Sequence, residues 1–140
     1  MGLDFEIDSE TDFFKGLIEL QDGQEDLIEM KKLAQKVSWA KGWPVDNIAF
    51  WNAEAFMWQQ KIEKEKRELI RRELVFLESG NNLDLGCGSY SYIKSVGFDF
   101  SEKMLKFNDN CSEKVVGNLE EKLPFDNFRF DSVTAVFVFN

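Results

Sequence analysis

The sequence predicts an α/β protein in which an N-terminal helical region, 1–80, precedes a parallel sheet of about four strands, 81–140. Three observations predict it. Apolar residues recur at helical spacing through the first half, while the second half carries short apolar runs that end in glycine or an acid. Those runs alternate with a capped helical segment, which is the order that parallel sheets require.

Residues 1–10 are acidic and lack periodicity, so a loosely attached arm is expected there. Phe13, Phe14, Leu17 and Ile18 space a first helix from Asp12 to about Leu20. Leu27, Met30, Leu33, Ala34 and Val37 line one face of a second, which Gly42 and Pro44 end. Asp46 or Asn47 can cap a third, running through Phe50, Trp51, Phe56, Met57 and Trp58 and on through Ile62, Leu69, Ile70, Leu74 and Leu77 to Gly80. The four tryptophans, Trp39, Trp43, Trp51 and Trp58, read as packing between this helical collar and the sheet. Strands follow at Leu83-Asp84-Leu85, at 95–100, at 114–117 and at 130–139, with Ser101 capping a helix through Met104, Leu105 and Phe107.

Composition narrows the function classes. A net charge of −9 repels phosphate backbones and anionic membranes, which disfavours a nucleic-acid partner. The basic stretch at 61–72 is interleaved with Glu63, Glu65 and Glu68 and reads as a solvated helix face. No apolar run reaches the roughly 20 residues of a membrane span, and the acidic start does not resemble a signal peptide. A cytoplasmic protein with reduced thiols is expected. With no histidine and only Cys87 and Cys111, no metal site is expected.

The residues that carry chemistry cluster after the first strand. Gly86 and Gly88 form a turn through which backbone can approach a ligand, with the amides of a following helix as donors. Asp99, ending the next strand, is placed to accept the hydroxyl hydrogens of a ribose. Cys87, lacking a base beside it, reads as a small buried residue of that turn, and Asp131 as a group that caps or pairs near the start of strand four.

Three ordered motifs make the pattern specific. Leu83-Asp84-Leu85-Gly86-Cys87-Gly88 resembles the first motif of class I S-adenosylmethionine-dependent methyltransferases, Gly97-Phe98-Asp99-Phe100-Ser101 with Met104-Leu105 resembles the second, and Leu123-Pro124-Phe125 with Phe130-Asp131-Ser132-Val133 resembles the approach to strand four. The resemblance covers 82–140 and implies a Rossmann-like sheet of the class I methyltransferase type, with S-adenosylmethionine as cofactor. It assigns Gly86, Cys87 and Gly88 to the turn under the methionine moiety, Asp84 to its amino group, Asp99 to the ribose, Phe100 to the adenine ring, and Asn118-Leu119 to the adenine amine. Asn140 becomes a candidate substrate contact.

The sequence departs from the family at Tyr90, where a small residue is usual, and in the eight residues that separate Gly88 from Gly97, where a longer helix is usual. Tyr90 and Tyr92 either shield the cofactor or fill its place. The family sheet has seven strands, so this chain is expected to be truncated after strand four, leaving an apolar edge for a second copy or a complementary chain. The expected activity is methyl transfer to an unidentified acceptor, a small molecule or protein, with inactivity of this chain alone left open. The alternative is a truncated or catalytically silent subunit that binds cofactor or partner. A nicotinamide-dependent oxidoreductase ranks last, because Ser91 breaks the third glycine position and the acid comes too early.

Overall fold

The computed structural model describes residues 2–21, 27–55 and 62–138. They form two compact units, 1–54 and 55–140, each with its own contacts. Among the described residues no helix is long and apolar enough to cross a membrane.

The first unit is helical. Helix α1 spans Gly2–Gln21, α2 Leu27–Ala34 and α3 Asn47–Glu54, with a 3-10 turn at Ser38–Ala40. The arm expected at residues 1–10 is instead the start of α1, because lengthening a nucleated helix costs far less than starting one. Phe13 and Leu17, one turn apart, are buried, and Phe13 takes the edges of Trp39 and Trp43 with ring centroids 5.7 and 5.3 Å away. Helix α2 stops at Ala34, short of Val37, and Val37 enters extended backbone before the 3-10 turn. Asp46 is the cap of α3: its Oδ2 accepts the Ala49 N–H at 2.9 Å. The single long third helix expected through Gly80 is divided. Helix α4, Lys64–Leu74, and a 3-10 turn, Val75–Ser79, belong to the second unit, and Phe56, Met57 and Trp58 lie outside the described residues.

The second unit carries a four-stranded, all-parallel open sheet in the order β3-β2-β1-β4, compatible with a Rossmann-like fold. Strand β1 is Asn82–Leu85, β2 Ser95–Asp99, β3 Cys111–Val116 and β4 Ser132–Thr134. Leu83 pairs with Val96 on one side and Val133 on the other, so β1 is interior. Helix α5, Glu102–Lys106, joins β2 to β3 and is capped by Ser101, whose Oγ accepts the Met104 N–H at 3.1 Å.

Two sequence expectations change here. The β1–β2 connection, 86–94, contains turns and bends but no helix; it is shorter than the dozen or so residues a crossover usually takes. Strand β4 holds three residues rather than the long run expected over 130–139: residues 135–138 are irregular, with Phe137 at φ +58°, outside the β region, and Phe139 lies outside the described residues. The start of β4 is pinned by Asp131, whose Oδ2 accepts the Asn81 N–H at 2.7 Å, as a pairing role for that acid implied.

Candidate functional site

The strand order reverses at β1, with β2 and β3 to one side and β4 to the other, and the 86–88 turn stands at the carboxyl end of β1 beside that switch. In open parallel sheets this is where ligands bind. Gly86 and Gly88 have φ of +61° and +60°, a conformation that suits residues without a β-carbon. The Gly86 N–H donates to the Phe98 carbonyl at 2.7 Å, and the Cys87 N–H to the same oxygen at 3.3 Å, tying the turn to β2.

Asp99 completes the clamp. Its Oδ2 accepts the Gly88 N–H and its Oδ1 the Ser101 N–H, each at 2.9 Å, so one carboxylate holds both the glycine turn and the cap of α5. The side chain is 6 % exposed, and burial pushes its carboxyl above the usual range against the opposing pull of these bonds. Asp84, 5 % exposed, accepts the Thr134 hydroxyl at 2.9 Å. Its carboxyl is also raised, first by burial and then by the neighbouring Asp99, with hydrogen bonds from Ser91 and Thr134 opposing. Two buried carboxylates thus lie on adjacent strands near their carboxyl ends, close enough for Asp99 to raise Asp84.

A polar chain that the motifs did not announce supports them. Asn82 Nδ2 donates to Ser95 Oγ at 2.8 Å and to Thr134 Oγ1 at 3.0 Å, while its Oδ1 accepts the Ser132 hydroxyl at 2.8 Å. Thr134 passes the chain on to Asp84. Below the turn, Asn108 Nδ2 donates to the Gly88 carbonyl at 3.2 Å and to Ser91 Oγ at 3.0 Å. Such satisfied networks fix strand ends in one arrangement. The density of Ser and Asn at 89–95 and 108–110 was the available signal, but polar residues in connections read first as solvated loop.

The other expected site residues distribute as follows. Phe100 is half-buried next to Asp99 in sequence, and Gly117 N–H donates to the Asp99 carbonyl at 3.0 Å, which brings the 117–119 segment to the same end of the sheet. Asn118 and Leu119 are exposed there, with Asn118 Oδ1 accepting the Glu120 N–H at 2.9 Å. Tyr90 and Tyr92 pack edge to face at 5.0 Å, and the Arg67 guanidinium lies 5.4 Å from the Tyr90 ring centre. Asn140 lies outside the described residues. The helix expected to aim its amides at a ligand after Gly88 is absent, and a β-carbon on Gly86 would come within 2.7 Å of Val138 Cγ2. Val138 therefore covers the turn.

No family model, curated protein or solved structure matches the chain. A second concavity, a cleft of about 500 Å³, opens at the opposite, amino-terminal end of the strands between Glu78, Asn81, Lys94, Ser112 and Arg129. Its charges are mutually compensated in part, with Arg129 Nη2 on Glu113 Oε2. Among the described residues no group of three or more His, Cys, Asp and Glu side chains is arranged to hold a metal ion.

The raised Asp84 carboxyl makes a pH prediction. An acid whose pKa is higher folded than unfolded favours the folded state while protonated, and that contribution is lost as pH rises from the ordinary carboxylate range through the raised value. Asp84→Asn keeps an oxygen for Thr134 and removes the charge. It is expected to stabilise the protein at neutral pH by about 1 kcal/mol and to flatten the acid-side rise in melting temperature. Thermal unfolding followed by circular dichroism across that range checks it; a destabilised variant with the wild-type pH slope would refute it.

Proposed function

We propose that this chain carries the S-adenosylmethionine-binding portion of a class I methyltransferase, acting on a small-molecule or protein acceptor. The observation that supports this most is the Asp99 clamp. A glycine turn and a strand-end carboxylate are held together at the carboxyl ends of β1 and β2, beside the point where strand order reverses.

The side chains present fit the cofactor in donor and acceptor terms. Each carboxylate oxygen offers about two lone-pair sites, so Asp99 retains capacity for ribose hydroxyls while clamping the turn. The buried charge of Asp84 suits the ammonium of the methionine moiety, which would offset its cost of burial. Phe100 offers a ring for adenine and Asn118 an amide for its edge. The cofactor supplies an electrophilic methyl group on sulfur; the chain binds and orients it, and no acid or base need be conspicuous. For the methionine moiety to approach Gly86, Val138 must move aside.

Calorimetric titration with S-adenosylhomocysteine tests the reading. Saturable binding is expected, weakened roughly tenfold by Phe100→Ala, the typical worth of one base stacked on an aromatic ring. Absence of binding to folded protein would contradict it. That outcome would favour a second reading, a cofactor-free subunit that works by association. Val138 filling the turn and the edge position of β4, where Val133 is 58 % exposed, are the observations behind it.

A further inference from the structure

The two cysteines, far apart in sequence, meet across β2. Cys87 sits in the glycine turn after β1, Cys111 opens β3, and β2 runs between them. They meet because Gly97 has no side chain. A β-carbon there would lie 2.4 Å from Cys111 Sγ and 2.9 Å from Cys87 Sγ, so both sulfurs occupy the space it leaves free. Both thiols are free: Cys87 Sγ donates to the Gly88 carbonyl at 3.6 Å, and Cys111 Sγ lies beside the Ser91 hydroxyl. Cys87 is buried and Cys111 is half-exposed.

We propose that Cys111 and Cys87 form a peroxide-responsive thiol pair, with Cys111 the residue that is oxidised and Cys87 the one that resolves it into a disulfide across Gly97. The chemistry around the pair divides those roles. The neighbouring Cys87 sulfur, with Ser91 and Lys114 helping against burial, draws the Cys111 thiol down to about 7, while Cys87 itself is pushed up by its coupling to Cys111 and by burial. Ser91 Oγ stands 3.6 Å from Cys111 Sγ. The first proton therefore leaves the sulfur that solvent can reach. A low-pKa, accessible thiol beside a resolving cysteine is the arrangement that oxidation sensors share.

The steps balance with a hydroperoxide as oxidant. The Cys111 thiolate attacks one peroxide oxygen, an S–O bond forms as the O–O bond breaks, and the departing oxygen takes up a proton to leave as water or alcohol. Cys87 sulfur then attacks the Cys111 sulfenic acid: the S–S bond forms, the S–O bond breaks, and the hydroxide released carries off the Cys87 proton as water. The two thiols have lost two electrons and two protons, and the peroxide has been reduced. The product ties the 86–88 turn to β3, whichever ligand that turn serves.

Mass spectrometry of the full chain tests this independently of cofactor binding. In the unmodified, reduced protein at neutral pH, iodoacetamide is expected to label Cys111 about tenfold faster than Cys87. Stoichiometric hydrogen peroxide should remove two hydrogens per chain, reversibly with dithiothreitol, and yield a peptide pair joined through Cys87 and Cys111. In Cys87→Ser the link is lost and dimedone traps a sulfenic acid on Cys111; in Cys111→Ser no such adduct forms on Cys87. Equal labelling of the two thiols in the unmodified protein, or disulfides found only between chains, would overturn the proposal whether or not the variants fold.

Discussion

Replacing Asp99 with alanine is expected to lower the unfolding free energy of the sheet unit by about 3 kcal/mol, a large fraction of the 5–15 kcal/mol that holds a typical domain. The change removes the acceptor of the Gly88 and Ser101 N–H groups, both at buried positions. An orphaned buried donor costs roughly 1–3 kcal/mol, and two are created at once. Relief of repulsion between Asp99 and Asp84 offsets part of the loss. Urea unfolding followed by circular dichroism measures it. A loss below about 1 kcal/mol would mean that the turn is held by the Phe98 carbonyl alone, and that the carboxylate is not its clamp.

Phe98→Ala should cost more, about 4 kcal/mol, the usual range for emptying a fully enclosed aromatic site. The ring is 1 % exposed and fills the space beside Gly117, where a β-carbon would come within 2.6 Å of it. It meets the edge of Phe125 at 6.0 Å, Phe125 meets Phe130 at 5.2 Å, and the Arg129 guanidinium lies over both. The 117–131 connection, which has no helix or strand of its own, is fastened to the sheet by that stack. The same urea titration checks it. Phe125→Ala, at a half-buried position, should cost roughly half as much; an equal cost for the two would place the anchor in the loop instead of under the strand.

The parts of this fold that were legible in the sequence are those set by local chemistry. Ser101 and Asp46 cap the helices they were expected to cap, because an oxygen-bearing side chain before an apolar helical run has few other uses. The start of β2 at Ser95 and the placing of the four strands along the chain followed from the apolar runs and their punctuation, with β2 ending at Asp99, one residue short of the 95–100 expected. Backbone conformations hidden in ordinary residues were not legible. Phe137 takes φ +58° inside an apolar run that reads as a ten-residue strand, and the 89–94 segment folds without a helix although nothing in it forbids one. At the site, Asp99 and the two glycines were visible as types, but their mutual bond was not, since a strand-end acid reads equally as a ligand contact or as a cap. The meeting of Cys87 and Cys111 depended on register across two strands, and on a glycine between them whose role only the pairing reveals.

The central claim, that a nucleoside-bearing cofactor binds at the carboxyl ends of β1 and β2, is tested most directly residue by residue. The measurement is the amide spectrum of nitrogen-15-labelled chain during titration with S-adenosylhomocysteine. Shifts concentrated at Gly86, Gly88, Phe100, Ser101 and Asn118 are predicted, with Val138 moving as it leaves Gly86. An unchanged spectrum, or shifts confined to Asn81, Lys94, Ser112 and Arg129 around the cleft at the opposite end, would contradict it.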